Sequence, residues 1–180
     1  HEHGLAPRRE FGQNFVGDPN TVRRIARLAT VDARSNVVEI GAGLGSLTRA
    51  LAESGARVVA IEIDHGIVPV LRTIVGDLPN VSVIEADAQE LAWDDVLAGA
   101  DDWVLVANLP YNVGTPLVMD LLDTVPRIAR MLVMVQREVG ERMVAVPRAS
   151  AYGALSVKVA FWATARIVGM VPPTVFVPQP

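Results

Sequence analysis

Apolar positions change period several times along the first half of the chain. Val22, Ile25, Ala26 and Ala29 recur at helical spacing. Asp18-Pro19 ahead of them offers a capping carboxylate and a proline suited to a first helical position, so an amphipathic helix is predicted there. Val37-Val38-Glu39-Ile40 then forms a short run of the kind a buried strand makes, and it leads into Gly41-Ala42-Gly43-Leu44-Gly45. Leu47, Ala50 and Leu51 return to helical spacing.

This unit of strand, glycine turn and helix is followed by a β-branched strand over 57–62, a helix over 67–75 and a third strand over 81–85. A fourth strand is predicted over 103–107. Thr115-Pro116 repeats the cap-plus-proline signal before a helix carrying Leu117, Val118, Leu121 and Leu122. A fifth strand over 131–135, a helix over 138–144 and a long sixth strand over 155–163 complete the pattern, with 168–171 either extending that strand or standing apart. Strands alternating with helices predict a doubly wound, mostly parallel α/β sheet of the Rossmann-like kind, with helices on both faces.

Composition sets bounds on this picture. A chain of 180 residues that is 51% hydrophobic has enough apolar side chains for one substantial core, and one domain is expected. The absence of cysteine excludes disulfides, thiolate metal sites and cysteine nucleophiles. The polar start, His1-Glu2-His3-Gly4 leading to Arg8-Arg9, holds no apolar stretch suited to a signal peptide or membrane helix. A cytoplasmic protein without membrane attachment is the expectation, and the two terminal histidines are not taken as a metal site.

A formal net charge of -4 argues at first against a nucleic-acid partner. The distribution changes that. Arg8, Arg9, Arg23, Arg24, Arg27 and Arg34 form one group and Arg127, Arg130, Arg137, Arg142 and Arg148 another, while no basic residue falls between Thr73 and Pro126. Ordinary solvated faces and an RNA footprint both remain open on charge alone.

Parallel sheets of this type bind ligands at the carboxyl ends of their strands, beside the reversal of strand order. The glycine turn stands there. A dinucleotide fingerprint would place its third glycine one residue later than Gly45, where Ser46 stands, so Gly41 and Gly43 favour a cofactor without a pyrophosphate. Glu62 closes the second strand, where a carboxylate can accept from both ribose hydroxyls in nicotinamide and S-adenosylmethionine sites alike. Asp87, after the third strand, could accept from an adenine amine, or simply cap the next turn.

After the fourth strand, Asn108-Leu109-Pro110-Tyr111 presents together a side-chain amide, a backbone carbonyl held by a following proline, and an aromatic ring. An exocyclic amine conjugated to its ring is a poor nucleophile because its lone pair is delocalised. If the Asn108 side-chain oxygen and the Leu109 carbonyl accept its two N–H bonds, they favour a tetrahedral nitrogen with a localised pair. Tyr111 would stack on an extruded base, and Phe176 is the candidate for its other face unless it is an ordinary core aromatic.

With these residues in view, the chain resembles the bacterial small-subunit ribosomal RNA adenine N6,N6-dimethyltransferases associated with kasugamycin sensitivity. The resemblance covers nearly the whole chain, through Phe11-Gly12-Gln13-Asn14-Phe15, 39–48, Ile61-Glu62-Ile63-Asp64, Glu85-Ala86-Asp87-Ala88, Asn108-Leu109-Pro110-Tyr111-Asn112, Gln136-Arg137-Glu138-Val139 and Phe176-Val177-Pro178-Gln179-Pro180. It implies a class I S-adenosylmethionine-dependent methyltransferase sheet, with residues 1–34 as a cofactor-covering segment and helix and 35–180 as the core. It also implies that Asn14 and Val16 close over the cofactor, that Gly41 supports its amino-acid end, and that Gly43 lies against it. Glu62 would hold the ribose, Asp87 the adenine and Ala88 a backbone contact, with Asn108 where cofactor and target amine meet.

The implied reaction dimethylates N6 of two neighbouring adenosines near the 3′ end of small-subunit rRNA, leaves S-adenosylhomocysteine, and uses no metal. The implied partner is that rRNA or an immature small ribosomal subunit, met by a monomer. Family members continue beyond the Phe-x-Pro-x-Pro segment into a last strand and a small helical domain.

Three other readings stay in play. Macrolide-resistance methyltransferases of large-subunit rRNA are similar too, but usually carry isoleucine where Leu109 stands. A nicotinamide oxidoreductase would leave 108–111 without a task. A non-catalytic rRNA-binding assembly factor would rest on the arginine groups.

Overall fold

The computed structural model describes residues 15–109 and 113–178. Asp18 caps the first helix, α1 (Pro19–Leu28), as its sequence foretells: the carboxylate accepts from the Thr21 amide at 2.8 Å and from the Thr21 hydroxyl at 2.6 Å. Val22, Ile25 and Ala29 are buried, which is the face the helical spacing picked out.

Five strands, β2 (Asn36–Ile40), β3 (Arg57–Glu62), β4 (Val81–Glu85), β5 (Trp103–Asn108) and β6 (Ile128–Met134), form one wholly parallel sheet in the order β4-β3-β2-β5-β6. The chain moves outward from β2 to β4 and then crosses to β5 on the other side. The order therefore reverses between β2 and β5, and their carboxyl ends flank the crevice where such folds take ligands.

Connecting helices cover both faces. Val37, Val58 and Val106 pack with α1 and with Leu47 and Leu51 of α2 (Ser46–Ala52), while Ala60 lies under Leu71 and Val75 of α3 (Val68–Val75). Val38, Val59, Ile61, Leu105 and Ala107 face the opposite layer. That layer is built from α4 (Trp93–Val96), α5 (Gly114–Thr124), α6 (Arg137–Val144) and α7 (Ala154–Trp162).

The segment 155–163, expected as a strand, is instead the helix α7. Its apolar residues show neither period clearly, and packing decides: Leu155 and Val159, one turn apart, are buried, whereas Val157 and Phe161 are exposed. The Ser156 hydroxyl donates to the Arg142 carbonyl at 2.6 Å and accepts from the Gly153 amide at 3.2 Å, so α7 is tied to α6 at its first turn. The stretch 168–171 joins no strand; its one described side-chain tie is Arg24 donating to the Met170 carbonyl at 3.2 Å.

Thr115 is not a cap either. Helix α5 begins at Gly114, so Thr115 and Pro116 occupy its second and third positions, where a missing N–H breaks no helical bond. Further elements went unforeseen: α4, a 3-10 turn at Pro173–Val175 and a small antiparallel pair. In that pair β1 (Phe15–Val16) lies beside β7 (Phe176–Val177), with Phe15 opposite Val177 and Val16 opposite Phe176. Among the described residues no helix is long and apolar enough to cross a membrane.

Leu51 is wholly buried between α1 and the sheet. Leu51→Ala should destabilise the protein by about 2–5 kcal/mol through lost transfer energy and the cavity left behind, read as a lowered urea midpoint with an unchanged slope.

Candidate functional site

At the end of β2 the chain must turn sharply under the neighbouring strand, and three glycines with positive φ, at 41, 43 and 45, let it do so. The Gly41 and Ala42 amides donate to the Ile61 carbonyl at 2.9 and 3.1 Å, which anchors the turn on β3. A side chain at Gly43 would collide with the Phe15 ring at 2.7 Å, so the turn and the N-terminal strand are in close contact. A Cβ on Gly41 would stand 3.5 Å from the Asn108 carbonyl, which measures how near the turn comes to the end of β5.

Glu62, at the end of β3, is almost wholly buried, and its carboxylate is held by three backbone amides. Gly43 donates to one oxygen at 2.7 Å, while Ile63 and Asp64 donate to the other at 3.0 Å each. A carboxylate has about four acceptor positions, so roughly one is left for a ligand hydroxyl. Asp64 is buried two residues on, and its side chain accepts from the Gly66 amide at 2.8 Å.

An open cleft brings together Phe15, Gly41, Gly43, Glu62, Asn108 and Phe176, with Ile63 and Leu109 also on its wall. Sequence reasoning thus singled out five residues that the fold gathers from four separate elements, together with Leu109. Leu109 is nearly buried, and its amide donates to the Met134 carbonyl at 3.4 Å. Val16 sits beside Phe176 in the small two-stranded sheet.

Asp87 and Ala88 are not on the wall of this cleft. The Asp87 carboxylate accepts from the Gln89 amide at 2.9 Å, the turn-capping role that competed with adenine recognition, and Ala88 is packed in the core. They do lie at the correct edge, because the Ala86 amide donates to the Glu62 carbonyl at 3.1 Å. Asn14 and Tyr111 lie outside the described residues.

Sequence reasoning missed two cleft residues. Ile63, part-exposed beside Glu62, offers an apolar surface to a flat ring. Its signal was an apolar residue set between two acids. Phe15 appeared only inside a motif; its contact with Gly43 spans 28 positions and has no local signature.

A third acid stands behind the turn. Glu39, in β2, is 2% exposed and accepts from the Thr48 hydroxyl of α2 at 2.5 Å. Burial pushes its carboxyl up to about 8, with the Thr48 hydrogen bond opposing the rise and the nearby Glu62 charge adding to it.

These observations test what the cleft can hold. The Glu62 carboxylate on its wall disfavours a pyrophosphate and favours a ligand carrying positive charge. A nucleoside with a sulfonium fits this donor set: the Glu62 carboxylate for hydroxyls, glycine backbone for close approach, and Ile63 for a ring. Among the described residues no group of three or more histidines and acids is placed to hold a metal.

The folded state keeps a proton on Glu39 that the unfolded chain releases near 4.5. Its stabilising share is therefore complete below about pH 4.5 and is lost progressively as pH rises toward 8. Glu39→Gln should abolish this slope. The variant's stability relative to the parent, by urea denaturation at about pH 5 and about pH 8, should grow by on the order of 3–4 kcal/mol over that interval. An unchanged difference would contradict a buried neutral acid.

The family model described as ribosomal RNA adenine dimethylase matches residues 4–180. The ribosomal RNA small subunit methyltransferase A of Cutibacterium acnes is 47% identical over 182 residues, a span covering 98% of this chain and 60% of the relative. That of Streptococcus pneumoniae is 41% identical, covering 99% and 63%. The chain thus spans about 60% of the length of these curated relatives. Among solved structures, a dimethyladenosine transferase from Plasmodium falciparum superposes with a TM-score of 0.81 at 28% identity, over 92% of this chain and 59% of that one. The 23S rRNA methyltransferase ErmE does so with a TM-score of 0.77 at 30% identity, over 93% and 65%. With its motifs, its parallel sheet and the match of nearly its full length, the chain belongs to the ribosomal RNA adenine dimethylase family.

Proposed function

We propose that this chain is the S-adenosylmethionine-dependent catalytic domain of an enzyme that dimethylates N6 of two adjacent adenosines near the 3′ end of small-subunit rRNA. The observation carrying this reading is the meeting of Gly41, Gly43, Glu62 and Asn108 in one cleft at the reversal of strand order. The choice of the small subunit is supported by the curated relatives, which are named for it at 41–47% identity, and by Leu109 before the proline-aromatic pair. The partner in this reading is rRNA or an immature small subunit, met in the cytoplasm by a monomer. The whole chain forms one methyltransferase domain, with residues 1–34 covering the cofactor and 35–180 forming the core.

S-Adenosylmethionine supplies, when bound, a methyl group activated by attachment to a positively charged sulfur. Glu62 orients the ribose through its remaining acceptor position, and the 41–45 turn lets the amino-acid portion lie against backbone. Ile63 would support the purine, and Asp87 and Ala88, at the neighbouring edge after β4, would be the residues nearest its amine. Asn14 and Val16, with Phe15 against Gly43, close the cleft and exclude water. Asn108 and the Leu109 carbonyl accept the two N–H bonds of the target adenine and localise the nitrogen lone pair, so no general base need act first. Tyr111 and Phe176 hold the extruded base by its two faces.

S-Adenosylhomocysteine should raise the melting temperature, equivalent to about 2.7 kcal/mol at a hundred times its Kd, while NAD should leave it unchanged. Stabilisation by NAD alone would end this reading. In a chain extended to the relatives' length, Asn108→Ala should lower labelled methyl transfer to immature small subunits by about a hundredfold or more, while S-adenosylhomocysteine affinity falls far less. Equal turnover in variant and parent would remove Asn108 from the reaction.

A further inference from the structure

Glu39 is a buried acid near the cleft to which the proposed reaction gives no task. It lies in the middle of an apolar strand, on the face that carries Val37, Val58 and Val106. Its carboxyl accepts from Thr48, which lies in the first turn of α2. Glu39 stands two residues before Gly41 and Thr48 three residues after Gly45, so this single hydrogen bond brackets the whole glycine turn.

We propose that Glu39 is a positioning residue of the cofactor cleft: it clamps α2 to β2 through Thr48 and thereby sets where the glycine turn presents its backbone. The inference rests on the reading that this cleft binds S-adenosylmethionine.

The surroundings explain why the neutral form matters. From β3, Glu62 faces Glu39 with a carboxylate of its own. On α1, Arg23, Arg24 and Arg27 are exposed, and on α2 Arg49 is turned outward to Asp77 at 2.8 Å. Asp64, buried beyond β3, is a further acid. The β5 neighbour in register is Val106, and the β3 neighbour is Ala60. Among the described residues, then, no cation offsets a charge on Glu39. An ionised Glu39 would place a second negative charge behind Glu62 in a dry setting, where repulsion is poorly screened. Glu62 is held to the turn by the Gly43 amide, so that repulsion acts on the link that shapes the cleft.

A measurable consequence is a proton-dependent affinity that a merely structural residue would not produce. S-Adenosylhomocysteine is titrated calorimetrically into the parent, Glu39→Gln and Glu39→Leu between about pH 6 and about pH 9. The ligand's own amine titrates in the same way against all three, so differences between proteins report on Glu39. The parent should lose roughly fivefold or more in affinity from about pH 7 to about pH 9 relative to Glu39→Gln, a modest coupling between sites. Near pH 7 the Gln variant, whose amide oxygen can still accept from Thr48, should bind within about twofold of the parent, and Glu39→Leu, which offers no acceptor, about fivefold more weakly. A Gln variant that follows the parent across the whole range overturns the proposal, even if the Leu variant fails to fold. A folded Leu variant that binds like the parent overturns it too. A parent that binds no S-adenosylhomocysteine at any pH removes the cofactor reading itself, an outcome distinct from either of these.

Discussion

The hydrogen bond from the Gly43 amide to the Glu62 carboxylate joins the turn after β2 to the end of β3, and the cleft takes its shape from that link. Without it the turn would be held to β3 only through the Ile61 carbonyl, which fixes its start and not its tip. With it, one buried carboxylate organises three amides from two neighbouring strands and still faces the opening. The glycines are required for the same reason. At positive φ they point their amides inward, and at Gly43 the missing side chain leaves room for Phe15.

Charge then narrows what such a cleft can serve. A helix start behind a glycine turn often attracts phosphate, but here Glu39, Glu62 and Asp64 are all buried around it. The balance favours a ligand with a positive centre, as the family to which the chain belongs would lead one to expect. Keeping Glu39 protonated limits the repulsion within this group, at some expense in stability near neutral pH.

Closure of the cleft comes from the two ends of the described chain. Phe15 and Phe176, more than 150 positions apart, are brought to one opening because β1 pairs with β7, and the Gly17 amide donates to the Val175 carbonyl at 2.7 Å beside them.

Periodicity and punctuation made most of the frame legible in the sequence: the Asp18 cap, the strands at 37–40, 57–62, 81–85 and 103–107, and the glycine turn that places a site after β2. These are local signals, in which neighbouring side chains alone decide between two periods or two turn types. The tetrapeptide from Asn108 drew notice because its chemistry is unusual after a strand. What depended on distant partners was not legible. Helix α7 reads as a strand until α5 and α6 supply the surface that buries Leu155 and Val159. The partners of Phe15 and Phe176 are set by a pairing between chain ends. Glu39 looked like one more residue of a glycine motif, and only its burial, against a hydroxyl on one side and a second carboxylate on the other, gives it a distinct state. Solvent exclusion is a property of the assembled fold, and no stretch of sequence contains it.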